Sequence, residues 1–355
     1  MQVNLGNEVA VVTSNVSAPH ATRRQVVNGV EVLRLRSVRL FYSDLTAAVE
    51  EPAIEGADVI HAHSQNSLFS VTLAERLKRR LGAKVAFHLM AVDAFKDHPN
   101  PLIRRLAPYY GRLCLKRALG TADLPLVRGR RDLEILKQKY GVNAEYLPDG
   151  VPKNYFTTER RDTTEFMERY RIRHEKFFLF IGRIHRLKGP HVLVQALKYL
   201  DKGIAAVFIG PDGGYLKRTL EVAEKEGVRD RVYVLGYVSE EDKIWAIDSA
   251  VTLVLPSIAD YVEVYPMVIS EAWARERPVI GTRVGGIPYR IEHGSNGLLV
   301  NPLDPKALAD AMSTLVNDEV LARRMGEQGK SEVSTWEEIA LRSIKLYERV
   351  LNKHS

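Results

Sequence analysis

The chain has 355 residues, 51 Lys and Arg against 44 Asp and Glu, and 45% hydrophobic residues; this is ordinary globular composition in a chain long enough that two domains are expected. Its one cysteine, Cys114, excludes an internal disulfide and a clustered-cysteine metal site. No run approaches the roughly 18 apolar residues of a spanning helix, and Met1 to Gly6 has neither the basic start nor the apolar core of a signal peptide, so a cytoplasmic protein is expected.

The positive charge is unevenly spread. Residues 1–153 hold 22 basic and 15 acidic side chains, and the remaining residues hold 29 of each. That field suits an anionic partner for the first half: a lipid phosphate, a membrane surface or an acidic glycan. The alternative is a solvated, arginine-rich surface.

In chain order, Glu8 to Thr13 alternates as a strand, and Asn28-Gly29 makes a hairpin-like turn into Val30–Leu35. Asp58 to His63 reads as a strand ending in two histidines. A helix from about Ser67 to Leu81 closes at Gly82 with basic residues in its last turn. Strands follow at Lys84–His88, Asp123–Val127 and Ala144–Leu147, alternating with helices, which is a doubly wound α/β pattern. Pro101 to Leu119 mixes Arg104, Arg105, Arg112, Lys116 and Arg117 with Leu102, Ile103, Leu106, Tyr109, Tyr110 and Leu115. It is expected to be a partly buried helix with a solvated face, a membrane-surface element being the other reading.

The second half is more legible. Strands are expected at Phe177–Ile181, Ala205–Ile209, Arg231–Leu235, Val251–Leu255 and Pro278–Ile280; glycine follows four of them (Gly182, Gly210, Gly236, Gly281) and Pro256 the other. Glycine at the carboxyl ends of parallel strands lets a ligand approach backbone amides. After the 251–255 strand stand two carboxylates, Glu263 in a loop and Glu271 in the second turn of a helix that Pro266 is expected to open and that runs to about Glu276. Asp304-Pro305 starts one late helix, and the capping box at Thr335 to Glu338 starts the last, ending near Leu351.

Gly182-Arg183-Ile184-His185-Arg186-Leu187-Lys188-Gly189, Glu263, Glu271, Gly285-Gly286-Ile287-Pro288 and Asn296 to Val300, in this order, closely resemble the retaining glycosyltransferases of family 4 and their relatives. The resemblance covers nearly all of residues 170–352 and, more weakly, residues 8–153. It implies a GT-B fold, two doubly wound Rossmann-like α/β domains facing a cleft. Residues 1–153 would form an acceptor-binding domain, with the helix 336–355 packing back on it, and residues 154–335 a nucleotide-sugar-binding domain. Pro148-Asp149-Gly150-Val151-Pro152 resembles the family's interdomain segment. The family's first domain opens with a strand, a glycine-rich loop and a helix; this chain begins at what matches that helix's end, Leu5-Gly6-Asn7-Glu8-Val9. The expectation is that the opening unit is absent, through a start placed at an internal methionine or, as the alternative, in a shorter chain, and that a position beside the Glu8–Thr13 strand is uncovered.

The implied activity is transfer of a hexose from a UDP-, GDP- or ADP-sugar to a glycan or lipid-linked acceptor with retention of configuration. The alternative is a catalytically silent nucleotide-sugar-binding or partner subunit. Catalytic candidates are Glu263, Arg183, Lys188 and His88. Donor-binding candidates are Gly182, Arg183, Lys188, Gly210, Tyr237, Val238, Glu263, Tyr265, Met267 and Glu271. Arg183 and Lys188 would meet the diphosphate leaving group, Lys188 being asked only for its charge, so that its loss should leave the fold intact. Glu271 would accept the ribose hydroxyls and Glu263 would stand near the sugar. Tyr237-Val238 would hold the base by backbone contacts, and His88 matches the strand-end histidine that points at the sugar's reacting face. No Asp-x-Asp pair fits the second domain, so transfer is expected to need no metal and no cofactor beyond the donor. His61 and His63 are expected to face opposite ways, and no carboxylates nearby support a metal there. Tyr265-Pro266, where the family commonly has Phe-Gly, and Tyr289, where it has Glu, bear on sugar preference.

Overall fold

The structure, a computed structural model, describes residues 1–40, 43–98, 100–157, 159 and 162–352. Parts of the polar stretch after Lys153 and the last three residues of the expected C-terminal segment lie outside the described residues. The chain divides into two units, residues 1–149 with 336–355, and residues 150–335.

In the first unit β1 (Ala10–Ser14), β2 (Arg24–Val27) and β3 (Val30–Leu35) make a sheet in the order β1-β3-β2. β2 and β3 form a hairpin whose turn residues, Asn28 and Gly29, both have positive φ, 51° and 79°, as a two-residue turn matched to strand twist requires. β4 (Ser37–Arg39) pairs antiparallel with β5 (Thr46–Ala48). β6 (Val59–His63), β7 (Lys84–Leu89), β8 (Leu124–Val127) and β9 (Glu145–Tyr146) form a parallel sheet in that order. The intervening helices are α1 (Leu68–Leu81), α2 (Pro101–Thr121) and α3 (Arg130–Tyr140). The Ser67 hydroxyl caps α1 by accepting the Ser70 amide, and Gly82 closes it at φ 68°; a serine cap of this kind contributes about 1 kcal/mol. Val12 of β1, Leu35 of β3 and Ile60 of β6 all pack with Phe69, Leu73 and Leu77 of α1, so one helix serves both sheets. Among the described residues β1 has β3 as its one strand partner, and β6 has β7.

The second unit begins with α4 (Thr163–Arg169) and then alternates: β10 (Lys176–Ile181), α5 (Pro190–Leu197), β11 (Ile204–Ile209), α6 (Leu216–Lys225), β12 (Val232–Gly236), α7 (Glu240–Ser249), β13 (Leu253–Leu255), α8 (Met267–Ala274), β14 (Val279–Thr282), β15 (Leu298–Val300), α9 (Pro305–Asn317) and α10 (Glu319–Lys330). All six strands are parallel, in the order β12-β11-β10-β13-β14-β15. Both faces are covered. Phe177, Leu179, Val207 and Leu253 face one core with Trp245 and Trp273, while Phe178, Phe180, Phe208 and Val254 face the other with Leu193 and Met312. Continuous apolar strands such as Phe177 to Ile181 read this way because every residue is buried on one side or the other.

Three local expectations need correction. The apolar run from Val251 yields a strand only over Leu253–Leu255. Pro266 is the N-cap of α8 and not its first residue, and α8 ends at Ala274. Gly236 is the last residue of β12, and Gly281 lies inside β14, where a Cβ would meet Ile287 at 2.6 Å; close packing rather than ligand approach accounts for that glycine.

The last helix, α11 (Trp336–Leu351), belongs to the first unit. Its Ile339 and Leu346 pack with Ala86, Leu124 and Leu126, the sheet face opposite the one that meets Val71 and Ala74 of α1 through Val85 and Phe87.

Candidate active site

The sheet order of the second unit places its first strand, β10, between β11 and β13. Successive connections run in opposite directions from that point, and in open α/β sheets ligands bind outside the carboxyl ends of the strands there. The loops after β10 (182–189) and after β13 (256–266) are the ones that flank it. They touch. Ile258 donates its amide to the Leu187 carbonyl at 2.9 Å, and a Cβ on Gly189, at φ 67°, would stand 1.9 Å from the Pro256 oxygen. Only glycine allows this approach.

On these loops Lys188 Nζ lies 2.8 Å from Glu263 Oε1 and 3.4 Å from the Val262 carbonyl oxygen. Glu263 is 2% exposed and also accepts a hydrogen bond from the Ser257 hydroxyl. The two residues assigned from sequence to diphosphate and sugar are therefore an ion pair, which corrects the expectation that Lys188 is asked only to meet phosphate. A carboxylate that far from water needs a partner, and Lys188 is it. The Gly285-Gly286 turn holds the Glu263 loop from beneath: Gly286 donates to the Glu263 carbonyl at 2.6 Å, and a Cβ on either glycine would run into backbone atoms of residues 260–264.

Arg183 is exposed, with its stem laid over Gly213, where a Cβ would be 2.7 Å from Cγ. The Gly210–Gly214 stretch is a cap for α6: Asp212 Oδ1 accepts the amides of Gly214, Tyr215 and Leu216 at 2.8–3.1 Å. Those amides hold the Asp212 carboxyl below its usual range. Gly182 and Gly210 are tied to the neighbouring strand ends by the bonds Gly182 N–H to Ile209 and Gly210 N–H to Gly236. Tyr237 beyond β12 is 89% exposed and Val238 half-buried.

Glu271 sits in the second turn of α8, as its spacing from Pro266 implied. Its Oε1 accepts from Lys243 Nζ of α7 at 3.1 Å, while its Oε2 is buried without a hydrogen-bond partner. Burial raises its pKa, with Lys243 opposing. Sequence reading missed Lys243, Ser257 and Arg290, which lie outside the motifs. Arg290 stacks over the Tyr265 ring at 4.2 Å and donates to the Pro266 carbonyl and the Ser270 hydroxyl at 3.0 and 2.8 Å. Tyr265 is buried. Met267, half-buried, is the first residue of α8.

His88, in the first unit, is 5% exposed on β7. Burial is the main cause that lowers its pKa, to about 3, with His63 and Arg128 adding to it and the Leu147 backbone opposing. His63 stands directly across from it in register on β6, and His61 and His63 are stacked with ring centroids 4.3 Å apart. They face the same way, against expectation: residues two apart on a strand share a face. One nitrogen from each of His61, His63 and His88 falls within 4.8 Å of the others.

Residues 2–154 match the family described as Glycosyltransferase Family 4, and residues 162–332 match Glycosyl transferases group 1. D-inositol 3-phosphate glycosyltransferase of Corynebacterium jeikeium is 31% identical over 262 residues, 68% of this chain and 61% of that protein. Alpha-D-kanosaminyltransferase of Streptomyces kanamyceticus is 28% identical over 276 residues, 76% of this chain and 70% of that protein. The alignments span 61% of the length of the first two curated relatives. Among solved structures, sucrose-phosphate synthase from Thermosynechococcus elongatus superposes with a TM-score of 0.79 at 21% identity, covering 98% of this chain and 90% of that one. HepE from Anabaena, in complex with UDP, gives 0.69 at 19% identity, covering 82% and 79%. With both halves matched and the fold shared throughout, the chain belongs to the group 1, family 4 glycosyltransferases and has their GT-B fold of two parallel-sheet Rossmann-like domains.

Proposed function

We propose that the chain transfers a hexose from a nucleoside-diphosphate sugar to a glycan or lipid-linked acceptor, with retention of configuration and with no metal ion at the diphosphate. The observation that carries this is the Lys188–Glu263 ion pair at the strand-order reversal of the second unit, with Arg183 on the same loop as Lys188 and the unpaired Glu271 Oε2 on the next helix. Departure of the donor breaks the bond between the sugar's anomeric carbon and the diphosphate and leaves negative charge on the latter. Arg183 offers a bidentate fork, Lys188 a point charge and α8 its positive end, and such groups stabilise charge most when fixed in advance. Glu263 fixes Lys188. Glu271 Oε2 accepts a ribose hydroxyl, Tyr237-Val238 lie beside the base, Gly182 and Gly210 let the phosphates approach, and Tyr265 and Met267 contribute backbone at the start of α8. The acceptor hydroxyl attacks on the leaving-group face and gives its proton to the departing phosphate oxygen, which requires no side-chain base. His88 contacts the sugar's reacting face. The UDP and UDP-glucose held in the HepE structures make uridine donors the first to try.

The test is donor turnover, by transfer and by slow hydrolysis, with UDP- and GDP-hexoses in the presence of EDTA. Turnover that survives chelation is expected. Loss on chelation with rescue by Mg²⁺ or Mn²⁺ contradicts the metal-free clamp, and binding with no turnover at all would make the chain a silent sugar-binding subunit.

The acceptor side carries a membrane proposal. α2 exposes Leu102, Leu106, Tyr109 and Leu113, each more than half accessible, at helical spacing among Arg104, Arg105, Arg112 and Lys116. Exposed leucines between basic residues suit an anionic lipid surface. No helix among the described residues is long and apolar enough to cross a membrane. Co-sedimentation with phosphatidylglycerol vesicles is expected and should drop several-fold in Leu102→Ser/Leu106→Ser; equal binding by the variant, or none by the parent chain, counts against it.

A further inference from the structure

The first unit carries a histidine cluster of which the proposed transfer uses only His88. His61 and His63 on β6 and His88 on β7 lie on one sheet face, brought side by side by the parallel register His61↔Ala86 and His63↔His88. On that face the sheet is covered by α11, and Tyr347 of α11 meets the cluster: its hydroxyl is 2.6 Å from His61 Nδ1. The Nε2 atoms of His61 and His88 are both buried and have no hydrogen-bond partner. A buried imidazole nitrogen left unpaired costs free energy, and here two occur together.

We infer that His61, His63 and His88 form a binding site for one borderline transition-metal cation of the Zn²⁺ or Co²⁺ kind. The donor set is sufficient, since three neutral imidazoles and one open position make a tetrahedral zinc site without any carboxylate. Each buried ring has the outer contact that such ligands use. His61 holds the Tyr347 hydroxyl at its far nitrogen, and His88 bonds to the Leu147 backbone, leaving Nε2 of each ring for the metal. Burial holds the His61 and His88 rings below their ordinary pKa. The strand ends are braced. Ser64 donates its amide to the His88 carbonyl at 2.9 Å, and buried Gln65 bonds both the amide and the carbonyl of Met90 at 2.8 Å. The ligand atoms lie within 4.8 Å of one another, whereas two nitrogens on one zinc at about 2.0–2.1 Å sit about 3.3 Å apart. Closure therefore asks for about 1.5 Å of inward motion, which rotation of the exposed His63 ring supplies. Arg128 is the cation facing the cluster, and Asp149 pairs with it at 3.0 Å.

The site is independent of the diphosphate residues, all of which belong to the other unit, and its test needs no sugar. The chelator-stripped full chain would be titrated with Co²⁺, followed by visible absorption, and with Zn²⁺, followed by calorimetry. The expected result is one site per chain with the intense absorption of tetrahedral Co²⁺. His63→Gln, a change at an exposed side chain, should lower affinity at least about tenfold. Tyr347→Phe, which removes only the outer contact, should lower it about tenfold. Absence of saturable binding at micromolar metal, octahedral Co²⁺ spectra, or undiminished affinity in His63→Gln would each overturn the inference.

Discussion

At the scale of single residues, Lys188 pairs with a buried carboxylate and also stands in the proposed diphosphate clamp. Glu263 is sealed from water and has Lys188 and Ser257 as its named partners. Removing the lysine strands a buried carboxylate, a change that costs about 3–5 kcal/mol for a fully buried pair; the lower end applies because the Lys188 side chain is 30% exposed. Lys188→Ala is therefore expected to lose about 10²–10³ in kcat/KM and also to melt earlier, whereas Lys188→Arg should recover most of the melting temperature and only part of the rate. Thermal denaturation beside donor turnover checks both, and an alanine variant with more than half of parental turnover would show the clamp to be misassigned. The motif residues were legible because strand, glycine loop, cation and carboxylate come at family spacing. Their supporters were not. Lys243, Ser257 and Arg290 reach the site from a helix face, a strand end and a turn, and nothing in their neighbours distinguishes them from other polar residues. The opposite-faces reading of His61 and His63 failed on elementary periodicity, for the pleat repeats every two residues.

Among the elements, the strands of the second unit were readable as apolar runs, and α1 and α9 as capped segments, since Ser67 and Asp304 side chains accept the amides that their helix starts leave open. β15 was missed as a strand because three residues, Leu298 to Val300, carry no period. The loop after β7 was also silent in sequence. It contains Ala91 and Asp93 at positive φ and is pinned by Asp132 of α3, whose carboxylate accepts the Ala91 and Val92 amides at 2.9 and 3.1 Å. Burial, partly offset by Arg131 and the two amides and reinforced by Asp93, pushes the Asp132 pKa up to about 6. A carboxyl raised above its unfolded value near 3.9 stabilises the fold when protonated, so its contribution is full below about pH 4 and is lost as pH rises through 6. The cost of ionising it amounts to about 3 kcal/mol. In Asp132→Asn this decline between pH 4 and 6 should disappear. Melting curves for both chains across that range test it, and identical pH slopes would refute it.

For the molecule as a whole, charge and chemistry divide along the chain. The basic excess lies in residues 1–153, where α2 shows its leucines, while the charge-balanced second half holds the residues proposed for the diphosphate. The central claim is that this second half binds a nucleoside diphosphate through Glu271 at the ribose and Arg183 with Lys188 at the phosphates. Calorimetric titration of UDP and GDP, in EDTA, into the parent chain, Glu271→Ala and Glu263→Ala tests it most directly. One nucleotide should bind the parent chain at a single site. Glu271→Ala should weaken it about tenfold or more, because a hydrogen bond to a charged group is worth about 1.5–3 kcal/mol, while Glu263→Ala should stay within a few-fold. Equal losses in the two variants, or no binding of either nucleotide by the parent chain, would contradict the account.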